Sequence, residues 1–334
     1  MKALTSLNVA VLWAGVAAAA FGADTVTTIS EPVLGLVSAA GATDVRAVVG
    51  VPSSASLGAP LSLPLDTQEI AVDSPELAGV LKDANGWSVF RLGAFMEDPV
   101  TLARIDGLQA AETGGTFVFS PSGGVAVYFS AGQVQVVDVQ SANPSVTWTT
   151  ATEIQQASAL GISDDGTMVA VGDASRVYLL RAKTAPLLVQ ITQGAPGVAF
   201  LADADDLAVV DAGTGAITLH ENLTGSASTR VIASESSFSG EKTFIESGAG
   251  GADLFLASAS QAIAFRVGVT NGAIQSVALP APVTRLDRLG ASDLFVVSYE
   301  ENQPAWMVWS DGETLEAIFA ATTQLKLRDS RSRR

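Results

Sequence analysis

The chain carries a single imidazole, His220, beside Glu221. Hydrolysis by a Ser-His-Asp arrangement needs such a ring to move a proton, together with a nucleophile positioned next to it. No nucleophile elbow supplies one. His220 instead closes the alternating run Ala216-Ile217-Thr218-Leu219, which reads as an ordinary strand end. One histidine and no cysteine exclude catalysis at multi-histidine zinc or copper sites and any thiolate metal centre. The remaining chemistry is carboxylate chemistry, and Asp and Glu number 34. Paired carboxylates cleave glycosides or hold calcium. The densest group is Asp203-Ala204-Asp205-Asp206, so Asp203, Asp205 and Asp206 are the candidate Ca²⁺ ligands. The group lacks the glycine and the distal glutamate of an EF-hand loop and falls where a turn is due, so a polar turn is the simpler reading. Asp164-Asp165 reads the same way. No residue is assigned a catalytic or cofactor-binding role.

Apolar side chains offer the other kind of site. Trp87, Trp148, Trp306 and Trp309 all fall in predicted strands, where large rings fill the space between sheets. Trp306 and Trp309 are three apart and so point to opposite faces of their strand, which predicts that one is exposed. The stretch 52–65 is apolar yet broken by Pro52, Pro60 and Pro64, and proline is kept out of central strands. It predicts either a packed connection or a loop over one end of the fold. In the latter case Pro52, Leu57, Pro60, Leu61 and Leu63, together with Trp306, are the candidate partner contacts. Asn222-Leu223-Thr224 has the form of a glycosylation sequon.

The elements that must position these residues come from a repeat. A short apolar strand, a tight turn and a second apolar strand recur, most clearly as Val125–Ser130, Ala131-Gly132-Gln133 and Val134–Val139, the pattern of a β-hairpin. Hairpin starts at residues 33, 77, 125, 168, 207, 254 and 294 are separated by 44, 48, 43, 39, 47 and 40 residues. That interval suits four-stranded propeller blades. One more strand precedes several hairpins, at Thr116–Ser120, Ser158–Ser163 and Gly197–Leu201, and would be the innermost of each blade. The connections carry no sustained period of 3.6, which excludes parallel βαβ units and helical solenoids. The expectation is an all-β propeller with seven four-stranded blades, six and eight being the alternatives. Thr25–Ser30 and Leu315–Ala320 are the strand-like ends, one of which should complete the sheet at the other end of the chain.

The turns Ser120-Pro121-Ser122-Gly123 and Ser163-Asp164-Asp165-Gly166, each followed by a Val/Ala-rich strand, resemble the Ser-Pro-Asp-Gly turn of secreted bacterial WD40-like and YVTN-like β-propeller repeat proteins. The resemblance implies the architecture. It carries over no functional residue, because the buried Gly-His and Trp-Asp network of a WD40 blade has no counterpart: the chain has one His, and its nearest approach to Trp-Asp is Trp309-Ser310-Asp311.

The address and the partners are read from the ends and the charge. Met1-Lys2, the Ala-rich apolar run Leu7–Phe21 and the small residues Gly22-Ala23 predict a signal peptide over 1–23, with the propeller over 24–322 exported to the periplasm or beyond and free of a membrane span once the signal is removed. A formal net charge of −16 disfavours nucleic acid and anionic lipid as partners. Five basic residues within Lys326–Arg334 make 323–334 a basic, solvated tail. Function is expected to be that of a monomeric, non-catalytic binding or assembly module working through rim loops on a protein or cell-envelope component. The alternative is a carboxylate- or calcium-dependent hydrolase or lyase, lactonase-like or polysaccharide-active.

Overall fold

A computed structural model of the chain describes residues 32–39, 43–73, 75–92, 100–109, 115–239, 243–290, 292–301 and 303–322. The signal segment 1–23, the strand-like end Thr25–Ser30 and the basic tail 323–334 lie outside the described residues.

Strands follow one another with almost nothing else between them. The first ladder is β1 (Val33–Ser38), β2 (Val45–Val49) and β3 (Ser56–Pro60). The second is β4 (Glu69–Asp73), β5 (Ala78–Asp83), β6 (Gly86–Arg91) and β7 (Thr101–Arg104). The third is β8 (Thr116–Phe119), β9 (Val125–Ser130), β10 (Gln133–Asp138) and β11 (Ser145–Ala151). The fourth is β12 (Ala159–Ile162), β13 (Met168–Gly172), β14 (Arg176–Arg181) and β15 (Leu187–Ile191). The fifth is β16 (Pro196–Phe200), β17 (Leu207–Asp211), β18 (Ala216–Glu221) and β19 (Ser228–Ser234). The sixth is β20 (Thr243–Ser247), β21 (Asp253–Ser258), β22 (Ile263–Gly268) and β23 (Ile274–Ala278). The last is β24 (Asp287–Arg288), β25 (Leu294–Ser298), β26 (Ala305–Ser310) and β27 (Leu315–Thr322). Each ladder is an antiparallel meander, and in the second to seventh the middle hairpin starts within a residue of the place the repeat predicts. The helical content of the described residues is two 3-10 turns, Pro52–Ser54 and Ser236–Phe238, and no helix there is long and apolar enough to cross a membrane.

Burial explains why these segments are strands. Every residue of β13, β17 and β25 is buried, so second strands are apolar on both faces and read as continuous Val/Ala/Leu runs rather than as alternation. Outer strands face water on one side, and β11 alternates accordingly along Ser-Val-Thr-Trp-Thr-Thr-Ala. In β11, β15 and β19 the register shifts by one residue, leaving Thr147, Val189 and Ile232 as bulges.

The arrangement of the ladders is radial. The first strands of neighbouring ladders pack on one another, β1 on β4, β8 on β12, β12 on β16 and β16 on β20. An apolar cluster fills each gap between consecutive ladders. Val127, Val134, Val169 and Val171 belong to the one between the third and fourth, and Leu219, Ile245, Leu254 and Phe265 to the one between the fifth and sixth. The last ladder packs back on the first through Leu294, Val296 and Met307 against Val37, Val48 and Leu57. There β27 also reaches β3, pairing parallel at Ala321↔Ser56 and Thr322↔Leu57, so the two ladders form one seven-stranded sheet. The C-terminal strand-like end therefore completes the junction.

Two expectations need correcting. The hairpin β1–β2 was expected to be the middle of a four-stranded unit, but β1 packs on β4 and takes the innermost place, so among the described residues the first ladder has three strands. The stretch 52–65, expected as a packed connection or a loop over one end, supplies its outer strand. Pro60 pairs with Arg46 at the end of β3, where its missing N–H does no harm.

Candidate functional site

The turns between first and second strands lie along one rim, and acidic side chains hold them. In the fourth ladder Gly166 N–H donates to Ser163 O (2.9 Å) with Gly166 at φ +68°, a conformation that glycine adopts without strain. Asp164 faces outward along the rim and bridges three ladders: its Oδ1 accepts Ser122 N–H from the third (2.6 Å) and its Oδ2 accepts Asp203 N–H from the fifth (2.9 Å). The stitching continues with Ala202 N–H to Ser247 Oγ (3.0 Å) and Ala249 N–H to Asp293 Oδ1 (2.7 Å). Asp165 serves its own turn. Burial works to raise its carboxyl, but the Thr167 amide and the Ser163 and Thr167 hydroxyls outweigh it and hold the group below the usual carboxylate range.

Two of the three candidate calcium ligands bond within the same scaffold. Asp206 Oδ1 accepts Asn222 N–H (2.7 Å) and Asp205 accepts the Thr224 hydroxyl, tying the acidic turn to the neighbouring turn of its own ladder. Asp203 sits at φ +57° and is exposed. Among the described residues no group of three or more His, Cys, Asp or Glu side chains is placed to hold a metal ion. The sequon is folded into that turn as well, with Thr224 bonded to Asp205 and Asn222 Nδ2 donating to Ser226 O (3.4 Å).

His220 is buried on β18. Its Nε2 lies 2.8 Å from Gln190 Oε1 of the fourth ladder and its Nδ1 3.2 Å from Thr229 Oγ1. Desolvation lowers its pKa from the ordinary 6.5, so the ring is neutral at pH 7 and links two ladders.

The first strands surround a cavity of about 360 Å³ at one mouth of the channel, lined by Ser38, Ala71, Phe117, Ser120, Pro121, Glu246, Arg285, Asp287 and Arg288 among others. A second cavity, about 260 Å³, is lined mainly from the third to sixth ladders and shares Val118, Glu246 and Asp287 with the first. The charged groups of the mouth satisfy one another or the backbone. Arg285 pairs with Asp287 and donates to Ser38 O of the first ladder. Arg288 reaches Pro121 O of the third and, at 3.4 Å, Ser247 O of the sixth. Burial pushes the Arg285 guanidinium down to about 10, still charged at pH 7. Sequence reasoning missed these residues. The signal was Arg285-Leu286-Asp287-Arg288, a charged run where the other repeats place an apolar innermost strand.

The predicted partner contacts are scattered. Leu57 is sealed in the core between first and last ladders, which removes it from any surface. Leu61 and Leu63 pack partly against the cluster shared with the second ladder; Pro52 is half-buried and Pro60 exposed. The fully exposed leucine of that stretch is Leu65. Trp306 and Trp309 point to opposite faces as expected, but each is half-buried against a cluster, Trp306 stacking on Phe319 at 5.6 Å. Neither stands free, because a ladder packs on both sides of their strand. Trp87 is buried, and Trp148 donates its Nε1–H to Gly166 O (2.7 Å) across to the next ladder.

No protein-family model and no curated protein matches the chain. Solved structures do. PorZ of Porphyromonas gingivalis, an essential bacterial surface component of the type-IX secretion system, superposes with a TM-score of 0.54 at 14% identity over 89% of this chain. Sqt1 of Chaetomium thermophilum, solved bound to the N-terminus of the ribosomal protein L10, gives 0.51 at 18% identity over 79% of this chain and 75% of that one. The fold is a WD40-like β-propeller. Apo AztD of Citrobacter koseri gives 0.54 at 11% identity, covering 87% of this chain and 96% of its own. The propeller spans 39% of the length of PorZ. At these identities the likeness establishes the fold and leaves activity to the site itself.

Proposed function

We propose that this propeller is a non-catalytic, extracytoplasmic binding or assembly module of seven blades, engaging a protein or cell-envelope component through its rim loops and channel mouth. The observation that carries the reading is the use of the rim carboxylates: Asp164, Asp205 and Asp206 spend oxygens on neighbouring turns, which makes a stiff frame for loops. Support also comes from Sqt1, solved with a ribosomal-protein segment, and from PorZ, a surface component. The count of seven rests on the apolar cluster found between every consecutive pair of ladders and again between last and first. A net charge of −16 favours a partner that is neither nucleic acid nor anionic lipid.

Glu246 and Asp287 lining one cavity keep a second reading in view, a carboxylate- or calcium-dependent hydrolase. A thermal-shift series decides between them. Millimolar Ca²⁺ should leave the midpoint within about 1 °C, because a ligand that binds only the folded state raises stability by mass action. A rise of several degrees that Glu246→Gln abolishes would favour the hydrolase. Capture from an envelope fraction should return a stoichiometric partner.

A further inference from the structure

Asn85 and Asn271 are each followed by glycine, Gly86 and Gly272. The side-chain amide of such an asparagine is open to attack by the backbone nitrogen of the next residue, and glycine leaves the approach unobstructed because it has no Cβ. Both asparagines lie in turns and are exposed, yet the fold treats them differently. Asn271 Oδ1 accepts the Ala273 N–H at 2.9 Å, and the Gly272 N–H is donated to Gly268 O at 2.8 Å. Both reacting groups there are tied to backbone partners.

The turn between β5 and β6 is built the other way. Its loop is Ala84-Asn85, closed by the pair Asp83↔Gly86. The side-chain amide of Asn85 makes no hydrogen bond among the described residues, while the backbone N–H groups of Asn85 and Gly86 are donated to Asp83 Oδ1, at 2.7 and 3.1 Å. The attacking nitrogen is thus bonded to a carboxylate, which can take its proton. Gly86 sits at φ +121°, and Arg104 of β7 lies against it, with Nη2 2.7 Å from the place a Cβ would occupy. No carboxylate among the described residues forms an ion pair with Arg104, so its charge is left at the bond that would react.

We infer that Asn85 is a site of self-modification, an intramolecular deamidation promoted by Asp83 and Arg104. The Gly86 nitrogen attacks Asn85 Cγ and gives its proton to Asp83, and the negative charge that develops on the side-chain oxygen is stabilised by the guanidinium of Arg104. The Cγ–Nδ2 bond then breaks, Nδ2 takes the proton from Asp83 and leaves as ammonia, and a cyclic imide remains. Water opens either imide carbonyl, giving aspartate or isoaspartate, with no change of oxidation state. Both products place a new negative charge beside Asp83. Isoaspartate also routes the backbone through the side chain, which lengthens the turn and breaks the Asp83↔Gly86 pair.

Peptide mapping by mass spectrometry of the full chain, aged at mildly alkaline pH both folded and in denaturant, tests the site. In the folded chain Asn85 should convert about tenfold or more faster than Asn271. In denaturant the two should differ by less than about twofold, because glycine follows both and only the fold separates them. Arg104→Met should slow Asn85 a few-fold when folded and not in denaturant, and Arg104→Lys should restore most of the rate. Equal thermal midpoints show that the variants fold. The site is discarded if Asn271 reacts as fast as Asn85 in the folded chain, if the ratio of the two is the same folded and unfolded, or if Arg104→Met leaves the folded rate at Asn85 unchanged.

Discussion

His220 shows how a residue changes meaning between sequence and fold. Its place at a strand end was legible, since Ala216–Leu219 alternates; its partners, Gln190 and Thr229, were not, because they arrive from another ladder and from across a hairpin. Since burial lowers its pKa below the ordinary 6.5, the unfolded chain takes up the proton first. The contribution to stability is complete above about pH 6.5 and is lost as pH falls from there toward the folded-state value. His220→Gln cannot titrate, so wild type should lose more thermal midpoint than the variant between about pH 7.5 and 5.5. Asp164 carries two bridges at once, and Asp164→Ala should cost about 1–3 kcal/mol by denaturant unfolding. Pattern alone marked Asp164-Asp165 as a turn; that one carboxylate joins three ladders depends on their curvature around an axis.

At the scale of elements, the hairpins were readable because second and third strands are buried on both faces and so appear as apolar runs with a turn between them. The termini were less so. β3 carries Gly58, Ala59 and Pro60, a poor strand by composition, and forms because β2 on one side and β27 on the other give it partners. β24 has two paired residues and is charged, so no period could reveal it. Ala321 N–H donates to Ala55 O (3.3 Å) at the junction. Ala321→Pro deletes that donor, and hydrogen exchange should become faster in β3 than in β13 or β17 as the outer junction frays.

For the whole molecule, a formal charge of −16 on the chain means self-repulsion that salt screens. Raising ionic strength from about 10 to 150 mM should raise the thermal midpoint of the whole chain. A midpoint that falls with salt would show that local pairs such as Arg266–Asp253 (2.7 Å) and Arg285–Asp287 outweigh the net field.

What the sequence determined by itself was the strand, the hairpin and their interval, because these depend on neighbours within a few residues: side-chain alternation, turn glycines and β-branched runs. It also determined the charge and the absence of thiol chemistry. The tertiary structure decided which carboxylates are structural, where Arg285 and Arg288 meet the channel and which apolar residues of 52–65 are buried. Those outcomes turn on contacts between residues of different ladders, separated by 30 positions for His220 and Gln190 and 167 for Arg288 and Pro121. Such pairings are set by how the ladders pack around one axis, and no local pattern encodes them.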